Sequence, residues 1–388
     1  MKGKWVRLFL VFVSFEVFFL QIVFAQTGSI PKPDHIVIVI FENHSYASIL
    51  GSSAAPNINS LAIDSNAAVF TKSYAIEHPS QPNYIDLFSG GNQGVTNDNV
   101  PANYPFTTPN LASQLLDSGK TFVTYSEDLP SVGFNGASSG YYARKHNPAA
   151  NWIGSGINQL PISISQPFTA FSSIGNYGFL PTVSYVVPNL VNDMHNGTGT
   201  TPISNGDTWL HANLNNYIQW AKSNNSLLIV TFDEDDNSSS NQILTIFYGQ
   251  MVKGGQYSNT INHYSILRTI EDMYGLTYAG NAATANPINN CWIIKTSTGF
   301  ENIMKNELSF NVFPNPVNDK INFISNIPFQ KEGLIQIVDA YGNLVQKNRL
   351  TDCSQFSINT AELSSGIYFY QIFLDNKSVR NGKFVVRK

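Results

Sequence analysis

The chain has 388 residues, 43% of them hydrophobic and only 12% charged, with a formal net charge of −4, which excludes the basic face that a nucleic-acid partner requires. Its two cysteines, Cys291 and Cys353, stand far apart, so no disulfide framework is implied and a buried core must carry the fold. The length is enough for one large domain and a second small one.

Residues 1–25 read as a secretory signal peptide: Lys2, Lys4 and Arg7 precede an apolar run from Leu8, and Val23-Phe-Ala25 ends it with branched and small residues. Glu16 interrupts the run, so cleavage after Ala25 is expected rather than retention as a membrane anchor. No second stretch approaches membrane-spanning length, so no transmembrane segment is expected in the mature, exported chain.

From His35 the chain reads His-Ile-Val-Ile-Val-Ile-Phe41, a continuous apolar run rich in β-branched residues, as a central strand covered on both faces requires. It ends in Glu42-Asn43-His44-Ser45, and in an open α/β sheet ligands gather beyond such carboxyl ends. A helix is predicted over 56–64 and a strand over 67–74. The next segment is His78-Pro-Ser-Gln-Pro-Asn-Tyr84, whose prolines and following Ile85-Asp-Leu-Phe88 predict a turn into a helix with Ser80 at its start. The unpaired N–H groups there attract anions, which suits a phosphate over Ser80; the plainer alternative is that Ser80 merely caps the helix.

A strand over 120–125 is followed by a long irregular stretch to Pro181, rich in Gly, Ser, Asn and Pro, of the length that usually forms a lid or binding loop. Strands follow over 182–187, 227–232 and 243–248, with helices over 206–223 and 263–274. The 227–232 strand also ends in acid, at Asp233-Glu-Asp-Asp236, and four adjacent carboxylates repel unless they are solvated or hold a cation. Beyond about Gly299 short alternating strands appear at 321–324, 334–338, 367–373 and 383–386, the pattern of a small β-sandwich without an acid or histidine cluster. The organisation expected is therefore a doubly wound α/β domain with a mostly parallel sheet over 27–295, a polar linker over 296–307, and a β-sandwich over 308–388.

The segments Phe41-Glu-Asn-His-Ser-Tyr46, His78 to Tyr84, Tyr142-Ala-Arg-Lys-His-Asn-Pro148, Asn192-Asp-Met-His195, Thr231-Phe-Asp-Glu234 and His263-Tyr-Ser-Ile-Leu-Arg-Thr-Ile-Glu271 together resemble the phosphoesterase family of bacterial acid phosphatases and phospholipases C, within the alkaline-phosphatase superfamily. Exported phosphatases of phosphatidylinositol 3-phosphate look most similar. The resemblance implies one divalent cation, Ca²⁺, Mg²⁺ or Mn²⁺, held by Glu42, Asn43, Asp233 and Glu234, with Ser80 as a nucleophile that forms a phosphoseryl intermediate. It implies His146 and His195 on the phosphoryl oxygens, and His78, Arg144, Lys145 and His263 around the substrate. For His78 and His263 the plain roles of shaping a turn and opening a helix stay open. Two other readings also remain: a phospholipase C-type phosphodiesterase, and a secreted Ca²⁺-binding surface protein without catalysis. Phe313-Pro-Asn-Pro316, Gly366-Ile-Tyr-Phe-Tyr370 and the basic Arg387-Lys388 resemble the sorting domain of the type IX secretion system, implying that machinery as a partner and passage to the cell surface or medium.

Overall fold

The computed structural model describes residues 30–293, 310–325, 333–350, 355–374 and 377–388. The expected signal peptide, the expected linker and Cys353 lie outside the described residues. In chain order the first region carries β1 (His35–Phe41), β2 (Ala67–Tyr74), β3 (Phe122–Ser126), β4 (Ser138–Ser139), β5 (Tyr142–Ala143), β6 (Ser165–Pro167), β7 (Val183–Val187), β8 (Ser226–Phe232), β9 (Gln242–Tyr248), β10 (Gly255–Tyr257) and β11 (Ile261–Asn262). Its helices are α1 (Tyr46–Ile49), α2 (Pro56–Ala62), α3 (Ser80–Ser89), α4 (Leu111–Asp117), α5 (Phe168–Ser172), α6 (Thr201–Ala221) and α7 (His263–Tyr274).

Strands β1 and β8 are apolar along nearly their whole length and buried throughout, which places them at the centre of a sheet ordered β10-β2-β9-β8-β1-β7-β3-β6, with β11 beside β2. Pairing is parallel except at β9, which runs antiparallel to both β8 and β2. The two-residue period of a strand splits β1 between two cores. Ile36, Ile38 and Ile40 pack with α3, α4 and α7 on one face. Val37, Val39 and Phe41 pack with α2, α5 and α6 on the other, so the sheet is wound on both sides.

The stretch between β3 and β7, expected to be structureless, is pinned instead. β6 adds to the sheet edge beside β3, and a buried Arg144 ties the surrounding turns together by donating to Asn135 Oδ1 (2.8 Å), Asn151 Oδ1 (2.8 Å) and the Ala150 carbonyl (3.1 Å). Helix α6 starts at Thr201, ahead of the predicted 206. Pro202 opens it, and Gly206 sits inside it because the chain at Met194 comes too close for a side chain.

The C-terminal strands are β12 (Phe310–Phe313), β13 (Lys320–Ser325), β14 (Gly333–Val338), β15 (Leu344–Leu350), β16 (Gln355–Asn359), β17 (Gly366–Leu374) and β18 (Lys377–Val386). They form two antiparallel sheets, β12-β13-β16 and β15-β14-β17-β18, which close on one core containing Ile321, Phe323, Ile335, Ile337, Tyr370 and Phe384. Among the described residues no helix is long and apolar enough to cross a membrane.

Candidate active site

Three neighbouring parallel strands, β8, β1 and β7, open onto one spot. β1 and β8 are in register through Phe41 and Phe232, so Glu42 and Asp233 leave the sheet at one level. Asp233 N–H donates to the Phe41 carbonyl at 2.9 Å, and Glu42 N–H donates to the Asp193 carbonyl at 2.8 Å, which binds the loop after β7 to the end of β1. Asn43 turns the chain with φ 49°, a left-handed conformation that asparagine tolerates. From there its N–H donates to Asp233 Oδ1 (2.9 Å) and its amide to Glu42 Oε2 (3.0 Å).

Opposite the strand ends, α3 begins at Ser80. Pro79 occupies the capping position and no side chain caps the helix, so Ser80 is not the cap residue. The loop before it is clamped by Asn83, whose Oδ1 accepts from Ile76 N–H (3.1 Å) and Glu77 N–H (3.0 Å). Ser80, 2% exposed, donates to Glu42 Oε2 at 2.9 Å, and Glu234 Oε1 lies 3.3 Å from the same hydroxyl. The expected perch for phosphate on the first N–H groups of α3 is taken at Gln81, whose N–H donates to Asp98 Oδ1 at 3.0 Å.

His146 stands between two carboxylates, Nε2 3.1 Å from Glu42 Oε1 and Nδ1 3.1 Å from Asp193 Oδ2. Its ring stacks on Tyr84 with centroids 5.0 Å apart and planes at 11°, and Tyr84, four residues after Ser80, shares that helix face. His195 is exposed beside it, with ring centroids 6.0 Å apart, and its N–H donates to Asp193 Oδ1 at 2.8 Å. Lys145 pairs with Asp98 Oδ2 at 2.8 Å. His78 approaches Glu234 Oε2 at 2.7 Å and Asp235 Oδ1 at 3.3 Å; the first approach is an ion-pair distance that misses hydrogen-bond alignment.

Of the four consecutive acids, Asp233 and Glu234 face this cluster. Asp235 instead folds its own loop, accepting from the N–H groups of Asn237, Ser239 and Asn241, and Asp236 is exposed. Two residues expected around the substrate stand elsewhere. Arg144 is 1% exposed and its guanidinium is spent on Asn135, Asn151 and Ala150 while covering the Tyr104 ring. His263 lies behind the site, where Nε2–H donates to the Asp233 carbonyl at 2.8 Å; burial lowers its pKa to about 4, so it is neutral and braces the end of β8.

Burial dominates the electrostatics. It pushes Glu42 up to about 8, with Asp193 adding to the rise, and Glu234 to about 8, with Asp233 adding. Asp193 rises to about 7 and Asp233 well above the carboxylate range, both chiefly through burial. Burial and the Lys145 charge push His146 well down. Four carboxyl groups thus crowd a buried site with, among the described residues, one nearby ammonium, that of Lys145. Glu42 Oε1, Asp193 Oδ2, Asp233 Oδ2, Glu234 Oε2 and His146 Nε2 are buried without a hydrogen-bond partner. Orphaned oxygens and nitrogen converging in this way have the donor chemistry of a cation site. Glu42, His146 and Asp193 bring their ligand atoms within 4.8 Å of one another.

Asp193 and Tyr84 lie within segments that carry the family resemblance but have no role assigned from the sequence, and Asp98 is not singled out there. Asp193 stands six residues beyond β7, past the reach of a rule that looks for acids at strand ends, and Tyr84 reads as core.

Residues 53–277 match the phosphoesterase family. The chain belongs to the phosphoesterase family. It is 48% identical over 265 residues to the phosphatidylinositol-3-phosphatase of Mycobacterium tuberculosis, across 68% of this chain and 85% of that one. It is 30% identical to an acid phosphatase of Aspergillus fumigatus, across 64% of this chain; it spans 57% of that relative's length. A crystal structure of a protein in the alkaline phosphatase superfamily from Vibrio parahaemolyticus superposes with a TM-score of 0.47 at 11% identity, covering 78% of this chain and 77% of that one. This phosphoesterase is accordingly a hydrolase of phosphate esters. Residues 311–387 match a secretion system C-terminal sorting domain, which marks it for export by the type IX machinery.

Proposed function

We propose that this phosphoesterase is an exported, metal-assisted phosphomonoesterase with Ser80 as its nucleophile, acting on phosphoinositides such as phosphatidylinositol 3-phosphate. The observation that carries the reading is the Ser80 hydroxyl, fixed at the start of α3 and donating into Glu42 at 2.9 Å, with Glu234 3.3 Å away.

The residues fit a divalent cation: Glu42, His146 and Asp193 bring ligand atoms together, and Asp233 and Glu234 add buried oxygens without a hydrogen-bond partner, whereas Asn43 turns its amide nitrogen to Glu42. Of the three ions that oxygen ligands suggested, Mn²⁺ suits a set that includes an imidazole best. When bound, such an ion lowers the pKa of a nearby hydroxyl and offsets charge on phosphoryl oxygens.

In the first step Ser80 Oγ forms a bond to phosphorus as the bond from phosphorus to the alcohol oxygen breaks. The Ser80 proton moves to Glu42 Oε2, its hydrogen-bond acceptor. His195, exposed at the mouth, supplies a proton to the leaving alcohol, and Lys145 faces the spreading negative charge, where most phosphoryl-transfer catalysis arises. Water then attacks the phosphoseryl group from the vacated side as the bond from phosphorus to Ser80 Oγ breaks; His195 takes the water proton, Glu42 Oε2 returns its proton to Ser80 Oγ, and phosphate leaves.

The substrate reading rests on the 48% identity to a phosphatidylinositol-3-phosphatase. The test is phosphate release from phosphatidylinositol 3-phosphate and p-nitrophenyl phosphate, set beside cleavage of phosphatidylcholine. Turnover of the monoesters with little of the diester is expected; strict preference for the diester overturns the reading.

A further inference from the structure

Among the described residues Lys145 is the one ammonium close to the carboxyl cluster, and on its flexible four-carbon stem it has two places to go: outward to solvent, or inward onto Glu42 and Asp233. Neither outcome leaves it aimed at a phosphoryl group. The structure shows what holds it. Asp98, in the loop between α3 and α4, offers Oδ2 to Lys145 Nζ at 2.8 Å and Oδ1 to the Gln81 N–H at 3.0 Å. Gln81 also grips that loop with its own side chain. Nε2 donates to the carbonyls on both sides of Asp98, Asn97 (2.8 Å) and Asn99 (2.7 Å). Gln81 is 1% exposed and directly follows Ser80.

We propose that Asp98 is a positioning residue that fixes the Lys145 ammonium relative to Ser80, with Gln81 as the rigid link between them. The inference rests on the phosphatase reading of Ser80 and Lys145. A carboxylate that accepts from the Gln81 N–H at the amino end of a buried helix, in a loop gripped on both sides of Asp98 by the Gln81 side chain, has little freedom, and it passes that order to the lysine. The rotamer entropy that Lys145 loses is thus removed before substrate arrives, which is the condition for an oriented charge to act in the transition state. Asp98 touches neither the ester nor the nucleophile; it works through Lys145.

The experiment is a double-mutant cycle in the full chain with its cation, assayed on p-nitrophenyl phosphate. Lys145→Met should lower kcat/KM by about a hundredfold. Asp98→Asn, which keeps an oxygen for the Gln81 N–H and loses the charge, should lower kcat by about tenfold with a smaller change in KM. In the double variant the Asp98 change should add nothing to the loss from Lys145→Met, since an orienting group has no effect once the group it orients is gone. Asp98→Ser, with an acceptor in a smaller side chain, serves as a second probe if the asparagine variant folds poorly, and thermal melting checks both. Losses that multiply in full across the cycle, or an Asp98→Asn enzyme as active as the parent while Lys145→Met is impaired, overturn the positioning role. A Lys145→Met enzyme of full activity removes Lys145 from the reaction and refutes that part of the phosphatase reading together with the inference; the Ser80 nucleophile is tested separately.

Discussion

The Ser80 hydroxyl donates to Glu42 Oε2 at 2.9 Å, and the same carboxylate oxygen also accepts from the Asn43 amide at 3.0 Å. Removing the hydroxyl therefore leaves Glu42 Oε2 with a partner. Glu234 Oε1 loses the hydroxyl 3.3 Å away, so Ser80→Ala should fold with a stability loss of about 1–3 kcal/mol. Its turnover should fall by about three orders of magnitude or more if Ser80 is the nucleophile. Mass spectrometry of acid-quenched parent enzyme should find phosphate on the peptide carrying Ser80. An active Ser80→Ala protein would place the nucleophile on another group.

The buried carboxyls set the pH dependence of the cation-free protein. Glu42 and Glu234 are raised from 4.5 to about 8, and Asp193 from 3.8 to about 7, so each favours its protonated form when folded. A group whose folded pKa is raised contributes stability that is complete below its unfolded pKa and is lost as pH climbs through the folded value. Protein stripped with a chelator should therefore melt at lower temperature at pH 8 than at pH 5. Added Mn²⁺ should raise the melting temperature more at pH 8, where fewer protons compete for the same oxygens. Equal melting at both pH values, with no response to any divalent ion, would count against the cation site.

Met194 adopts φ 82°, a left-handed backbone that a side chain of this size rarely takes, between Asp193 and His195. A β-carbon at Gly206 would stand 2.5 Å from Met194 Cγ and 3.0 Å from the Asn192 carbonyl oxygen. Gly206→Ala should thus destabilise by about 1–3 kcal/mol through overpacking, although alanine is the better helix former by about 1 kcal/mol. Activity should drop with it, because the displaced segment carries Asp193 and His195. Denaturant unfolding beside steady-state kinetics checks both, and a stabilised, fully active variant would show that the loop is free to yield.

Much of this was legible in the chain because β1 and β8 bury nearly unbroken apolar runs and end in acid; that pattern gives the parallel sheet, the topmost level of the site, and Glu42 and Asp233 at once. Ser80 was legible from the prolines around it. Arg144 and Asp193 were not, for opposite reasons. An arginine beside Lys145 and His146 looks like a phosphate ligand until the turns it ties together are seen, and an acid six residues beyond a strand has no local signature. In the C-terminal sheets β15 escaped notice because most of its side chains are exposed, so no two-residue alternation marks it.

The C-terminal strands bring a test of the division into two units. Their core, from Phe310 to Val386, shares no residue with the two cores that flank the large sheet, the last of whose members is Trp292. A chain ended near residue 299 keeps every residue that we place in the site and both of those cores, so it should fold and hydrolyse p-nitrophenyl phosphate with an unchanged kcat/KM. It lacks residues 311–387, which match the sorting domain, so expression in a host with type IX secretion should leave it undelivered to the surface or medium. Cell fractionation with an activity assay on each fraction reads both outcomes. A truncated protein that melts cooperatively yet is inactive would mean that the C-terminal sheets take part in catalysis, and one that is exported as efficiently as the full chain would move the export signal elsewhere.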